Sequence, residues 1–152
     1  MSRSWTTRPR RPSDGADAYH FVDRATFEKK ATEGGFLEWN RVFDELYGTP
    51  VPDPPAGKDV LLEIDVQGAR DVKRSRPDAV VILVVPPSRQ AQEERLRRRG
   101  DQEDTIARRV ASADEEEAQG RRLADHVVIN DDLVRAVDEV IGILEAHRKG
   151  RA

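Results

Sequence analysis

The chain contains no cysteine, so neither disulfides nor thiolate metal sites are open to it, and nothing ties it to an oxidising compartment. No apolar run approaches the ~20 residues that span a bilayer, and the N-terminus lacks the hydrophobic core of a signal peptide. The expected location is therefore cytoplasmic, with no membrane partner. A surplus of positive charge is also missing: 26 Lys and Arg stand against 29 Asp and Glu, for a formal net charge of −3. That balance argues against a dedicated nucleic-acid binder, whose affinity rests on summed positive charge. A local version of that reading, through the basic start and the arginines at 95–99, is opposed by the dense acids at 114–117.

What the chain does have is apolar material concentrated in a few segments, because hydrophobic residues make up 37% of it and charged residues 36%. At 152 residues it is long enough for one compact domain with a single core. Residues 1–15 carry Arg3, Arg8, Arg10 and Arg11 before the first acid, Asp14, among prolines that exclude a long helix. By itself this reads as an extended basic tail. Tyr19 to Val22 reads as a short strand, and Asp23 caps a helix from about Arg24 to Glu33 that ends at Gly34-Gly35. Phe36 to Trp39 and Leu46 to Thr49 read as further short strands, giving a small antiparallel sheet with one helix. The proline-rich stretch from Pro50 to Gly57 is a linker.

Val60 to Val66 and Ala79 to Val85 differ in kind. The second is continuously apolar, as a strand covered on both faces is, and Val127 to Ile129 adds another. Helical stretches alternate with them: Gly68 to Arg76, Arg89 to Arg99 with Ser88 as N-cap, and Leu133 to His147, which sets Leu133, Val137, Val140, Ile141 and Leu144 on one stripe. The alternation predicts an open parallel sheet. Residues 89–125 are dominated by charge, bury little and suit a lid, with a plain solvated helical hairpin as the alternative. Ligands of open α/β sheets bind beyond the carboxyl ends of strands, which singles out Asp65, Pro86-Pro87-Ser88 and Asn130-Asp131-Asp132. Asp65 is either a helix cap or a ligand-facing carboxylate.

Taken together and in order, these motifs resemble the guanylate kinase family. The GMP phosphate motif is carried by Ser4, Thr6-Thr7-Arg8 and Arg11, although Pro9-Arg10-Arg11 displaces the family's proline and leaves the choice between Arg10 and Arg11 open. Aligned on it, the phosphate-binding tyrosines fall on Tyr19 and Tyr47, the guanine-reading glutamate on Glu38, the small hydroxyl residue on Thr49, and the strand-end aspartate on Asp65. The lid arginines fall on Arg95, Arg99 and Arg109, and the adenine-side motif on Val128 to Asp132. The resemblance implies a GMP pocket of Ser4, Arg8, Arg11, Tyr19, Glu38, Tyr47, Thr49 and Asp65. It implies Arg99 and Arg109 as catalytic charges arriving with the lid, Arg95 and Asn130 on the ATP side, and GMP, ATP and Mg²⁺ as ligands. The implied fold is α/β: a parallel-sheet, P-loop kinase-like core (58–88 and 126–152), a GMP-binding region of short antiparallel strands (1–57), and a helical lid (89–125), all within a single domain, 1–152.

One departure matters. No G-x-x-x-x-G-K-[ST] loop occurs in the chain, so the expectation is a core without its first strand and phosphate loop, no metal ligand in the chain, and impaired activity of the chain alone. A wrong start site and a real truncation both fit that absence. The competing reading is a non-catalytic GMP-binding or guanylate-kinase-like interaction module, favoured by the missing loop and opposed by the retained guanine reader and lid arginines. Oligomeric state has no signature in the sequence.

Overall fold

A computed structural model describes residues 2–55 and 57–150, which form two compact units dividing between Ala79 and Val80. The first carries a four-stranded sheet in the order β2-β1-β4-β3, built from β1 (Trp5–Thr6), β2 (His20–Phe21), β3 (Phe36–Val42) and β4 (Glu45–Pro50). Strands β3 and β4 form an antiparallel hairpin, β1 runs antiparallel to β4, and β1 and β2 pair in parallel. The predicted short strands and their helix are thus present, but the basic start is not a tail. Trp5 and Thr6 are interior to the sheet, and Thr6 is wholly buried.

Register divides the sheet into two chemically distinct faces, because residues paired across neighbouring strands point to the same side. Trp5, His20, Trp39 and Gly48 share one face. Helix α1 (Arg24–Thr32) is anchored by Phe27, which is fully buried and stacks on Phe36 at 4.6 Å between ring centroids. A Cβ on Gly48 would stand 3.0 Å from atoms of Phe27, Phe36 and Trp39, so glycine is what lets the aromatics close over the strand. The helix begins where Asp23 accepts the Thr26 amide at 2.7 Å and ends into Gly34 at φ 71°. The opposite face carries the polar groups Thr6, Glu38, Asn40, Tyr47 and Thr49, with Phe21 beside Thr6 at its edge. Helix α2 (Val66–Ser75) packs against β3.

The hairpin turn is strained. Val42 pairs with Glu45, leaving Phe43 and Asp44 to turn the chain, and Phe43 adopts φ 55°. A bulky L-residue there costs about 1–2 kcal/mol, and two-residue hairpin turns favour glycine or asparagine. Phe43→Gly is therefore expected to stabilise the chain by about 0.5–1 kcal/mol after glycine's own entropy cost. Urea denaturation checks it, and an unchanged or lower midpoint contradicts the assignment.

In the second unit, β5 (Ile82–Val85) and β6 (His126–Ile129) pair in parallel, joined by the long crossover that such pairing requires. The crossover is α3 (Arg89–Arg98) and α4 (Glu103–Leu123), two helices packed on each other, and α5 (Leu133–Lys149) follows β6. Ser88 and Asp132 cap α3 and α5 by accepting the amides of Ala91 and Arg135. Val85, Leu96, Ile106, Ala113, Val128 and Ala136 form this unit's core.

Two expectations are corrected here. Val60 to Val66 is not a strand: among the described residues, 58–65 forms no ladder, and the bond from the Ser2 amide to the Leu61 carbonyl at 3.0 Å is isolated. Nor is the apolar run at 79–85 covered on both faces. Among the described residues its strand runs only from Ile82, preceded by Val81, whose carbonyl accepts the Asp125 amide at 2.9 Å; β6 is the one strand paired with it there, and Val84 is 52% exposed. No helix among the described residues is long and apolar enough to cross a membrane.

Candidate nucleotide site

Glu38 lies on β3 opposite Thr49 on β4 and is 7% exposed. Its Oε1 accepts the Thr49 amide at 3.1 Å, while the buried Thr49 hydroxyl has no well-formed hydrogen bond among the described residues. Burial pushes the Glu38 carboxyl above its ordinary range; the Thr49 hydrogen bond opposes this, and the neighbouring Asp65 charge adds to it. Space for the carboxylate comes from Gly68, where a Cβ would meet Glu38 Oε2 at 2.7 Å. Asp65 is the N-cap of α2, its Oδ1 accepting the Gly68 amide at 2.8 Å. The capping reading of Asp65 is thus observed directly. The same oxygen also accepts from Asn40 Nδ2 at 2.7 Å.

A second cluster forms around Arg8. Its guanidinium grips Asp14 with two bonds of 3.0 Å, Nη1 also donates to the Pro9 carbonyl at 2.7 Å, and the two side chains are only 10% and 11% exposed. The rings of Tyr19 and Phe21 each lie 5.4 Å from the guanidinium carbon, and Tyr19 meets Tyr47 edge to face at 6.1 Å. Burial alone lowers the Arg8 pKa, but Asp14 and Tyr47 outweigh it and hold the group above its ordinary value. Asp14 is pulled down to about 2, first by Arg8 and then by the Arg11 amide, which donates at 2.6 Å. Burial, with Glu63 and Tyr47 nearby, raises the Tyr19 hydroxyl. Arg10 turns to the carbonyls of Gly15 and Ala16 and stacks 4.5 Å over Phe21. Ser4, half-buried just before β1, accepts the His20 amide through its carbonyl at 2.9 Å.

Within the second unit, Arg99 pairs with Asp101, and Arg109 Nε lies 3.9 Å from the same carboxylate, which is 2% exposed. Arg95 donates to the Asn130 carbonyl at 2.8 Å. The residues singled out at 95, 99, 109 and 130 thus form two pairs, each within that unit.

A family model described as guanylate kinase matches residues 1–147. The chain belongs to the guanylate kinase family. It is 48% identical over 154 residues to a guanylate kinase of Thermus thermophilus, covering 97% of this chain and 70% of that protein. It is 44% identical to the guanylate kinase of Symbiobacterium thermophilum, covering 97% of this chain and 72% of that one. A crystal structure of guanylate kinase from Anaplasma phagocytophilum superposes with a TM-score of 0.73 at 31% identity, covering 95% of this chain and 73% of its own. Family membership makes the chain a nucleoside monophosphate kinase by descent and gives its mixed α/β fold a solved counterpart.

Four residues of these clusters carry weaker signals in the sequence, or none. Asp14 was visible as the first acid after the basic run, Asn40 as the residue sharing Glu38's strand face by alternation, and Asp101 as the acid directly after Arg97-Arg98-Arg99-Gly100. Gly68 had no such signal, since its use depends on a side chain 30 positions away.

Proposed function

We propose that the first unit is a GMP receptor and that the chain serves phosphoryl transfer from ATP to GMP, giving GDP and ADP. The carrying observation is the buried Glu38, backed by the Thr49 amide and flanked by Asp65, on the sheet face that also carries Tyr47. Guanine presents N1–H and an exocyclic amine as adjacent donors beside the O6 acceptor. Glu38 is assigned to N1–H and one hydrogen of the amine, Asp65 to the amine's other hydrogen, and the Thr49 hydroxyl, which has no well-formed hydrogen bond among the described residues, to O6 as donor. Adenine leaves that set unsatisfied, and a polar site rejects a mismatched analogue far better than an apolar one does. Arg8, Arg11, Tyr19 and Tyr47, with Ser4 nearby, are assigned to the GMP phosphate.

In the transfer, an oxygen of the GMP phosphate attacks the γ-phosphorus of ATP and ADP leaves. The protein contributes position and charge rather than covalent chemistry. Arg99 and Arg109, held by Asp101, are the cations assigned to the moving phosphoryl group, and Arg95 and Asn130 are assigned to the ATP side. Mg²⁺ is assigned to accompany ATP, bound chiefly through the nucleotide's phosphates and water; among the described residues there is no group of three or more His, Cys, Asp or Glu placed to hold a metal. With no G-x-x-x-x-G-K-[ST] loop to anchor the donor phosphates, turnover by this chain is expected to fall by about 10³-fold or more against a guanylate kinase that carries one. A coupled assay with ATP, Mg²⁺ and GMP measures it, and comparable turnover refutes the impairment. The proposed setting is cytoplasmic, with small-molecule ligands and neither nucleic acid nor membrane as partner.

Glu38→Gln tests the receptor. It is expected to weaken GMP binding by about 1–3 kcal/mol, because guanine loses an acceptor and its charge assistance. Calorimetry that finds equal affinity removes Glu38 from the site. The same substitution acts oppositely on the empty chain. A carboxyl whose folded pKa is raised lets the native state hold the extra proton, so stability is lost as pH rises from the ordinary 4.5 through the folded value. The unliganded Glu38→Gln chain should therefore match or exceed the parent's melting temperature at pH 7.

A further inference from the structure

Resting on the assignment of Asp65 to the guanine amine, we propose that Asn40 is the residue that positions Asp65 for guanine specificity. Asn40 and Glu38 lie two apart on β3 and face the same side, with Asn40 directly opposite Tyr47. The orientation of the amide is fixed by chemistry: an ionised carboxylate can only accept, so the group facing Asp65 is the Nδ2 donor. The bond is 2.7 Å long, and its acceptor is Oδ1, the oxygen already taken by the Gly68 amide at 2.8 Å. Two donors on one oxygen, one from the strand and one from the helix, lock the rotation of the carboxylate. Oδ2 is left as the oxygen available to a ligand.

The other end of Asn40 supports this. Its Oδ1 is buried and has no hydrogen-bond partner among the described residues. A buried carbonyl left unpaired is unfavourable, and an apolar residue of similar shape would remove that disadvantage. An asparagine here carries an unsatisfied end while its amide end holds a carboxylate. It shares this state with the buried Thr49 hydroxyl, which has no well-formed hydrogen bond among the described residues, one pair further along the same hairpin face. Both orphans therefore lie beside Glu38 and Asp65.

The guanine amine that Asp65 is assigned to accept is absent from inosine monophosphate, which otherwise presents the same ring edge. Asn40 acts on binding only through Asp65, so its loss should be felt by GMP and not by the inosine nucleotide. Calorimetry of the full chain with each nucleotide tests this for the parent, Asn40→Ala, Asn40→Leu and Asp65→Asn. Asn40→Leu keeps the volume without the donor and serves if the alanine variant does not fold. The expected result is an about tenfold loss of GMP affinity in the Asn40 variants with inosine monophosphate affinity unchanged, so that the preference for GMP shrinks as it does in Asp65→Asn. Equal losses for both nucleotides, or no loss for either, overturn the proposal while leaving Asp65 in place if Asp65→Asn still erases the preference. A parent chain that binds the two nucleotides equally removes the Asp65 assignment, and the role of Asn40 with it.

Discussion

Arg8→Met is expected to abolish GMP binding, by about 100-fold or more, and also to destabilise the empty chain by about 3 kcal/mol. These two effects have different origins. The stability loss comes from Asp14, whose side chain is 11% exposed and would be left as a charge without its counter-ion. The binding loss comes from the guanidinium fork, of which Asp14 occupies one edge and Tyr47 lies close enough to raise the pKa. Adding Asp14→Leu to Arg8→Met should restore most of the stability, because a pair of apolar side chains beside Tyr19 and Phe21 leaves no buried charge behind. It should restore no binding. Urea denaturation and calorimetry on the two variants separate the origins, and a double variant that regains GMP affinity excludes Arg8 from the phosphate site.

Acid gives the same pair a second signature. Asp14 titrates at about 2 against an ordinary 3.8. A depressed carboxyl contributes stability that is complete above the unfolded pKa and fades as pH falls from 3.8 through 2. The parent chain should lose stability in that window, whereas the double variant carrying both Arg8→Met and Asp14→Leu lacks this contribution. Glu38 acts in the opposite sense at higher pH, so the two carboxyls are distinguished by where the stability curve bends.

The elements legible in the sequence were those with local causes. Asp23 and Ser88 each cap a helix where a short polar side chain precedes a periodic run, and each does so in the structure. The apolar runs ending at Val85 and Ile129 pair in parallel as their composition suggested. What failed depended on partners distant in sequence. Val60 to Val66 has the composition of a strand, but a ladder requires a second chain segment in register, and among the described residues it has none. The basic start has the composition of a tail, yet β4 on one side and β2 on the other make Trp5 and Thr6 interior residues. Site residues followed the same rule. Glu38 and Thr49 are cross-strand neighbours that a hairpin reading can reach, while the grip of Asn40 on Asp65, 25 positions away, is set by tertiary packing.

Gly68→Ala carries the second large effect, and its logic is steric. Glu38 Oε2 stands 2.7 Å from where the new methyl group would be, Glu38 Cδ 3.1 Å and Ile64 Cβ 3.3 Å. Something must move, and the carboxylate is the softest of the three because it is the end of a rotatable side chain. Its displacement breaks the 3.1 Å bond from the Thr49 amide and leaves that amide buried beneath the site. In an isolated helix alanine is favoured over glycine by about 1 kcal/mol, so α2 itself gains from the change. The expected outcome is a chain that still folds, with a melting temperature within a few degrees of the parent, but has lost GMP affinity by on the order of 100-fold through the misplaced Glu38. Combining Gly68→Ala with Glu38→Gln should cost little beyond the worse single change, since both act on one carboxylate and contacting residues are not additive. Calorimetry on the four members of that cycle decides it: losses that simply add would show that Gly68 affects GMP by a route other than Glu38.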